Sequence, residues 1–442
     1  MTVSVIGAGL AGCEAAWQLA RRGFDVRLYE MKPKKFSPAH HYPGMAELVC
    51  SNSLKAMRLS SAAGLLKEEM ERLGSLTVPC AKACAVPAGG ALAVDREAFS
   101  DLVTDKIRAQ GNIDVIEEEV TSLPDGPVVV ATGPLTSQKL SEHIRSLLGE
   151  EYLSFFDAAA PIVTAESLNM ERCFFAARYD RGDDDYINCP FDKEEYEAFY
   201  GELIRAKSVE LKDFEKDGFK VYEGCMPIEV LAKRGPDTIR FGPLKPVGLR
   251  DPRTGHRPWA VVQLRRENAA GSLYNIVGFQ TNLLFPEQKR VFSMIPGLEH
   301  AEFVRYGVMH RNTFLDSPRL LDQHFCLKKE PRIFFAGQMT GVEGYMESAM
   351  SGILAGINMA LALEEKAPLE LPFDTMTGAL SRYISDESVK DFQPMGANMG
   401  LLPPPLQRER DKNKRYLQVA QRALESLEKV LESRKEDLAL KR

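Results

Sequence analysis

The chain opens on a short apolar, β-branched run, Thr2-Val-Ser-Val-Ile6, a pattern that predicts a buried strand. Gly7-Ala-Gly-Leu-Ala-Gly12 follows at once, then a helix-forming run from Cys13 to Arg22 that Gly23 closes. A second strand, Phe24 to Glu30, ends in an acid. Further along, Val128 to Gly133 and Arg332 to Gln338 are apolar runs that each reach a glycine, and Gly341, Gly344, Gly352 and Gly356 punctuate a helix after the last one. Leu65, Leu66, Met70 and Leu73 give the stretch from Leu54 to Leu73 helical spacing; Asp95 is placed to cap a helix carrying Phe99, Leu102, Val103 and Ile107. From about Asp180 the rhythm changes to acidic residues and a charged, aromatic helical run from Lys193 to Lys207; apolar strand spacing resumes at Tyr274. After Pro403-Pro-Pro405, Leu417, Ala420, Leu424, Leu427, Leu431 and Leu438 recur at three and four residues, a heptad-like seam on a charged helix. That seam predicts either a helix docked on its own domain or a subunit contact.

The first of these patterns carries chemistry. Gly7 permits a tight turn, Gly9 lets the backbone approach a pyrophosphate, and Gly12 lets the helix pack closely on its strand. Ala8, Leu10 and Ala11 complete the turn, and the helix N-terminus offers free N–H groups to phosphate. Glu30 is placed to accept hydrogen bonds from a ribose diol. The motif alone does not separate FAD from NAD. A return to the nucleotide fold near the far end of the chain is the habit of flavoproteins, and it assigns Gly133, Gly337 and Gln338 to the same cofactor site, although Gln338 stands where those proteins usually carry Asp. The expected fold is α/β: a Rossmann-like FAD-binding domain of the glutathione-reductase-like flavoprotein kind. It is discontinuous over residues 1–180 and 275–404, with a smaller inserted α/β domain at 181–274 and a charged C-terminal helix at 405–442.

Composition and charge narrow the field. The 442 residues are 44% hydrophobic and 27% charged, ordinary for a globular chain and unlike a disordered or collagen-like one. No stretch reads as the roughly 20 apolar residues of a membrane span, and no secretory signal opens the sequence, so a cytoplasmic protein with no membrane partner is expected. The eight cysteines lack zinc-site spacing, and no metal is expected; Cys80 and Cys84 have no histidine or acid cluster beside them. Cys225, between Gly224 and Met226-Pro227, and Cys50, followed by Ser51-Asn-Ser53, both fall on predicted loops where a nucleophile can be presented. An inert buried thiol is the alternative for each.

The formal net charge of −6 makes a wholly basic nucleic-acid binder unsuitable as a reading. Against that sign, Lys233 to Arg266 holds nine cations, Arg250, Arg253 and Arg257 among them, and only Asp237 and Asp251. Such a stretch suits phosphate backbones, with His256 and Trp259 available to stack on bases. A solvated face laced with internal salt bridges is the other reading.

Several motifs taken together resemble one family. Gly7 to Ala16, Val49-Cys-Ser-Asn-Ser-Leu54, Val86 to Arg96, Ala131-Thr-Gly-Pro-Leu-Thr136, Gly224-Cys-Met-Pro-Ile-Glu229, Gly278-Phe-Gln-Thr-Asn282 and Ala336 to Tyr345 are similar to the folate- and FAD-dependent tRNA (uracil-5-)-methyltransferases, the TrmFO family. The resemblance runs to about Pro405. It implies FAD, 5,10-methylenetetrahydrofolate as one-carbon donor, NADPH or NADH as reductant, and tRNA as the partner methylated at its T-loop uridine. It implies Cys225 as the thiolate adding to C6 of uracil, Cys50 as general acid/base at C5, and His310 as a folate contact. Related wobble-uridine-modifying flavoproteins share the flavin motifs, and the same chemistry on ribosomal RNA fits the same residues. A flavin-bearing RNA-binding protein without the chemistry is the reading from another class.

Overall fold

The computed structural model describes residues 1–37, 39–149, 152–158, 160–180, 185–209, 226–268, 270–307, 309–389, 392–405 and 409–441. Its first sheet has five strands in the spatial order Ile333–Phe335, Val128–Val130, Thr2–Ile6, Asp25–Glu30 and Ile113–Glu117. Every pairing in it is parallel. Parallel strands need crossover connections that cover both faces, which is why these strands read as continuous apolar runs. Connections leave the opening strand Thr2–Ile6 in opposite directions, to Asp25–Glu30 on one side and to Val128–Val130 on the other. The crevice beyond the carboxyl ends of those strands is the switch point where such sheets bind ligands.

Two helices seal this sheet. Leu10–Arg21 follows the glycine turn, and Tyr345–Leu363 packs against it at close range. The approach depends on Gly352 and Gly356: a Cβ on Gly352 would overlap the main chain of Ala11, and one on Gly356 would stand 2.8 Å from the Ala15 carbonyl oxygen. By length and composition Tyr345–Leu363 is apolar enough to cross a membrane, contrary to the expectation that no stretch is. Its burial within the core identifies it as a core helix; Glu347 and Asn358 interrupt the apolar run and mask it in the sequence. The stretch from Leu54 is helical only over Ala62–Arg72, where the Ser61 side chain accepts from Gly64 N and sets the start; Ser53–Ala56 forms a strand instead.

The second sheet has six strands, ordered Phe174–Phe175, Tyr186–Phe191, Ala260–Arg266, Leu273–Ile276, Ile162–Thr164 and Phe303–Arg305, and is antiparallel throughout. Its core runs from Val163 to Ala301, so the packed unit extends past both edges of the 181–274 insert. The flanking strands are two or three residues long, too short to show a period of two in sequence. A two-stranded ribbon, Tyr152–Ala158 against Met309–Leu315, accompanies the two sheets.

The C-terminal helix is Lys412–Ser433. Ala420, Leu424 and Leu427 are buried in the first sheet's core, which places the heptad-like seam on its own domain. Arg422 donates to the carbonyls of Pro403 and Pro404, Arg434 to those of Ala367 and Pro368, and Lys441 N to the Arg21 carbonyl at 2.9 Å.

Gly352→Ala should destabilise the protein by about 1–3 kcal/mol through overpacking against the Leu10–Arg21 backbone. Gly111→Ala, where an added Cβ meets nothing within 4 Å, is the control. Thermal melting of both variants checks this, and equal melting temperatures would refute the packing account.

Candidate cofactor and active site

A cavity of about 520 Å³ opens at the switch point. Gly7, Ala8, Gly9, Leu10, Ala11, Glu30, Gly133, Gly337 and Gln338, all expected at a cofactor site, line it. Gly7 holds φ +96°, and a Cβ there would stand 2.7 Å from the Ala131 carbonyl oxygen. A Cβ on Gly9 would meet no atom within 4 Å, so that face of the turn is open. Gly9 is also the N-cap of Leu10–Arg21 and makes no side-chain cap bond, which leaves the first-turn N–H groups available to an anion. Gly12 does not line the cavity: its missing side chain makes room for the Gly7 carbonyl.

Glu30 is fixed by two main-chain bonds, Ala8 N to Oε2 and Lys32 N to Oε1, both 2.9 Å. A carboxylate has about four acceptor positions, so it retains capacity for a diol. Gln338 sits on the wall with its amide donating to Glu343 Oε2 at 2.7 Å, while Gly337 N donates to Ser351 Oγ at 2.7 Å. An open-faced glycine turn, free helix N–H groups and a terminal carboxylate are a donor and acceptor set that fits FAD.

The same cavity reaches Cys50 and Tyr345. The Tyr345 hydroxyl accepts from Cys50 N at 2.8 Å and from Ser51 N at 3.3 Å, and lies 3.2 Å from Cys50 Sγ. With both lone pairs engaged, the hydroxyl has its proton left for the sulfur. Desolvation, and then Cys50, push the Tyr345 phenol well above its ordinary pKa, so that proton stays on. The loop is held from the second sheet as well. Arg265 donates to Asn52 Oδ1 (2.9 Å) and Ser51 Oγ (2.6 Å), and Asn52 Nδ2 donates to the carbonyls of Val94 and Arg266. Arg96 donates to the Leu48 and Val49 carbonyls and pairs with Glu267 at 2.6 Å. Sequence reasoning does not find Tyr345, Arg96 or Arg265 as site residues. The first two stand inside the family-like motifs, and Arg265 reads as one member of the basic stretch.

Cys225 lies outside the described residues. Beyond it, Ile228 N donates to the Gln280 carbonyl at 2.8 Å, and Glu229 accepts from Thr281 Oγ1 and Asn282 N. His310 belongs to the Met309–Leu315 strand, opposite Asp157 in the ribbon, and that strand runs beside the Gln338–Thr340 turn. Cys80 is buried, which pushes its thiol up to about 11 and makes it a poor nucleophile. Among the described residues no group of three or more His, Cys, Asp or Glu stands together as a metal site.

The basic stretch divides. Arg250 and Arg257 are exposed, as is His256. Arg253 is not a free cation: it pairs with Asp251 at 2.6 Å and donates to the Glu171 carbonyl. Trp259 is half-buried and already engaged by cations, with the Arg240 guanidinium 3.7 Å from the ring centroid and Lys193 at 5.6 Å. Arg265 is buried against the Cys50 loop, where a phosphate cannot reach it.

Tyr345→Phe removes the acceptor shared by Cys50 N and Ser51 N. Amide hydrogen exchange at Cys50 and Ser51, read by peptide mass spectrometry, should quicken several-fold as the loop loosens; unchanged exchange would mean the hydroxyl does not hold it.

Comparison with known proteins places this geometry. The family described as "Glucose inhibited division protein A" matches residues 2–367. The methylenetetrahydrofolate–tRNA-(uracil-5-)-methyltransferase TrmFO of Acetivibrio thermocellus is 62% identical over 430 residues, covering 97% of this chain and 98% of that protein. The protein of the same name from Brevibacillus brevis is 57% identical over 433 residues, 98% of this chain and 99% of that one. Aquifex aeolicus GidA shares the fold, with a TM-score of 0.71 at 19% identity over 99% of this chain and 74% of that one. On this identity along nearly its whole length, the chain belongs to the TrmFO family.

Proposed function

We infer that the protein is a methylenetetrahydrofolate–tRNA-(uracil-5-)-methyltransferase that forms 5-methyluridine at the T-loop uridine of tRNA, using FAD. The observation that carries this reading is a single cavity lined at once by the dinucleotide turn, Gly7 to Ala11, and by the Cys50 thiol. The turn, Glu30, Gly133, Gly337 and the main chain of Gln338 hold FAD, which when bound and reduced supplies the electrons that bring a methylene unit to the methyl level. NADPH or NADH is the source of those electrons.

The chain's own residues activate the base. C5 of uracil is a weak nucleophile until a thiolate adds at C6 and makes the ring an enolate, the task assigned to Cys225. Once C5 has bonded to the one-carbon unit, its proton must leave, and the base assigned to take it is Cys50, which lines the cavity. The Tyr345 hydroxyl, 3.2 Å from Sγ and bonded to Cys50 N, holds the sulfur in place for that transfer. Expulsion of the Cys225 sulfur then restores the C5–C6 double bond. Arg265 and Arg96 are positioning residues for the Cys50 loop. His310 contacts folate, on a strand beside the Gln338 turn. Arg250 and Arg257, with Arg253 held between them by Asp251, meet tRNA phosphates.

Purified protein should be yellow. With methylenetetrahydrofolate and reduced nicotinamide nucleotide it should give 5-methyluridine in unmodified tRNA, read by nucleoside mass spectrometry. Cys225→Ala and Cys50→Ala should each lose at least 100-fold in turnover while retaining flavin. Product at a wobble position, or full turnover by either variant, would overturn the assignment. Arg250→Glu with Arg257→Glu should weaken tRNA binding and make its log–log salt dependence shallower by about one unit per lost phosphate contact.

A further inference from the structure

The edge strand of the second sheet, Phe303–Arg305, leads into an arrangement of rings that the chemistry above does not use. Tyr306 stacks on Phe303 with centroids 5.3 Å apart and planes 8° from parallel. It stacks equally on Phe285, at 4.8 Å and 15°. Phe285 is 50% exposed, although it begins a helix, Phe285–Phe292, whose Val291 and Phe292 are fully buried. Three near-parallel rings with the outermost half in water are a costly way to end a core and a ready surface for a fourth flat ring.

What surrounds Phe285 selects the occupant. Lys289 lies four residues on, along the same helix face, and is exposed. Lys207 is exposed too, and its main chain bonds the neighbouring residue, Leu284 N donating to the Lys207 carbonyl at 3.0 Å. Among the described residues, Glu287 on the same helix is paired with Arg290 at 2.7 Å and accepts from Lys207 N at 3.4 Å. An aromatic face with the exposed ammonium groups of Lys207 and Lys289 beside it matches a nucleotide, base on the ring and phosphate on the lysines. It does not match an apolar peptide or an acid-free lipid tail.

Position points the same way. Arg305 is in the strand that supplies Phe303; burial lowers its pKa, and Tyr345 and Cys50 are close enough to act on its charge in the opposite sense. Val209 N bonds the Asn282 carbonyl and Ile228 N the Gln280 carbonyl, so the described chain on either side of Cys225 is anchored within a few residues of Phe285. The strand that carries Phe303 thus also carries an arginine that senses Cys50, and the helix of Phe285 follows the segment, Gln280 to Asn282, that anchors the described chain before and after Cys225. A uridine withdrawn from a folded loop leaves its neighbours unstacked, a loss of a few kcal/mol that a protein ring can offset.

We propose that Phe285, backed by Tyr306 and Phe303, is a stacking platform for an unpaired RNA base next to the target uridine. This rests on the tRNA reading above and adds a contact that is aromatic rather than ionic. The test uses the full-length flavoprotein and a T-stem-loop RNA with 2-aminopurine beside the target uridine. Wild-type protein should quench the probe on binding. Phe285→Ala should raise the RNA Kd about tenfold and abolish the quench, with the salt slope, the KM for methylenetetrahydrofolate and the melting temperature unchanged. Phe285→Trp should restore affinity and quench, and Phe285→Leu should restore neither. Wild-type affinity in Phe285→Ala overturns the proposal. So does full rescue by leucine, which would make the patch a general apolar contact with protein. A raised folate KM with unchanged RNA Kd would assign the ring to folate's aryl group instead, and a change in oligomeric mass would assign it to a second copy. Failure of the wild-type enzyme to form 5-methyluridine would overturn the functional reading, whereas these binding outcomes judge the platform alone.

Discussion

One guanidinium joins the two halves of this protein. Arg96 reaches the carbonyls of Leu48 and Val49 on the cofactor side and the carboxylate of Glu267 on the second sheet. Buried charge is tolerated only when it is paired and its hydrogen bonds are met, and here every direction of the fork that matters finds an acceptor. The geometry fixes more than a contact. Because the two carbonyls immediately precede Cys50, the sulfur is placed by a residue that also holds the neighbouring sheet in register with it.

Arg265 repeats the arrangement on the other flank of the same loop, and Tyr345 closes it from the long core helix. The thiol is thus held by three elements far apart in sequence, the first residues of two helices and a strand of the second sheet. Preorganisation of this kind is what a proton transfer at carbon needs, since the base must lie within hydrogen-bond reach without a search.

The parts legible in sequence are those whose physics is local. A glycine turn after a strand depends on residues a few positions apart, so Gly7, Gly9, Gly12, Gly133 and Gly337 can be placed from the order of residues alone, and Glu30 with them. The heptad-like spacing near the end reveals the helix and its buried stripe for the same reason. What stays hidden depends on distance along the chain. Tyr345 meets Cys50 across 295 positions. Arg265 looks like one more basic residue until the fold brings Asn52 and Ser51 to bury it. Counting charges also overstates the phosphate-binding face, because Asp251 takes Arg253 and Trp259 takes Arg240. The edges of the second unit are blurred because strands of two or three residues carry no period.

The first sheet has a consequence for how the protein is made. Thr2–Ile6 needs Val128–Val130 on one side, the next strand outward is Ile333–Phe335, and the helix that seals them ends at Leu363. Lys441 completes the hydrogen bonding of the first helix's end. During synthesis Thr2–Ile6 can meet Asp25–Glu30 early, whereas Val128–Val130 must wait for Ile333–Phe335 on its outer edge. The antiparallel unit, whose strands fall between Ile162 and Arg305, can close while synthesis continues. The nucleotide-binding sheet therefore closes only when segments more than 300 residues apart meet, and the contact of Lys441 N with the Arg21 carbonyl ties the last described residues to the first helix.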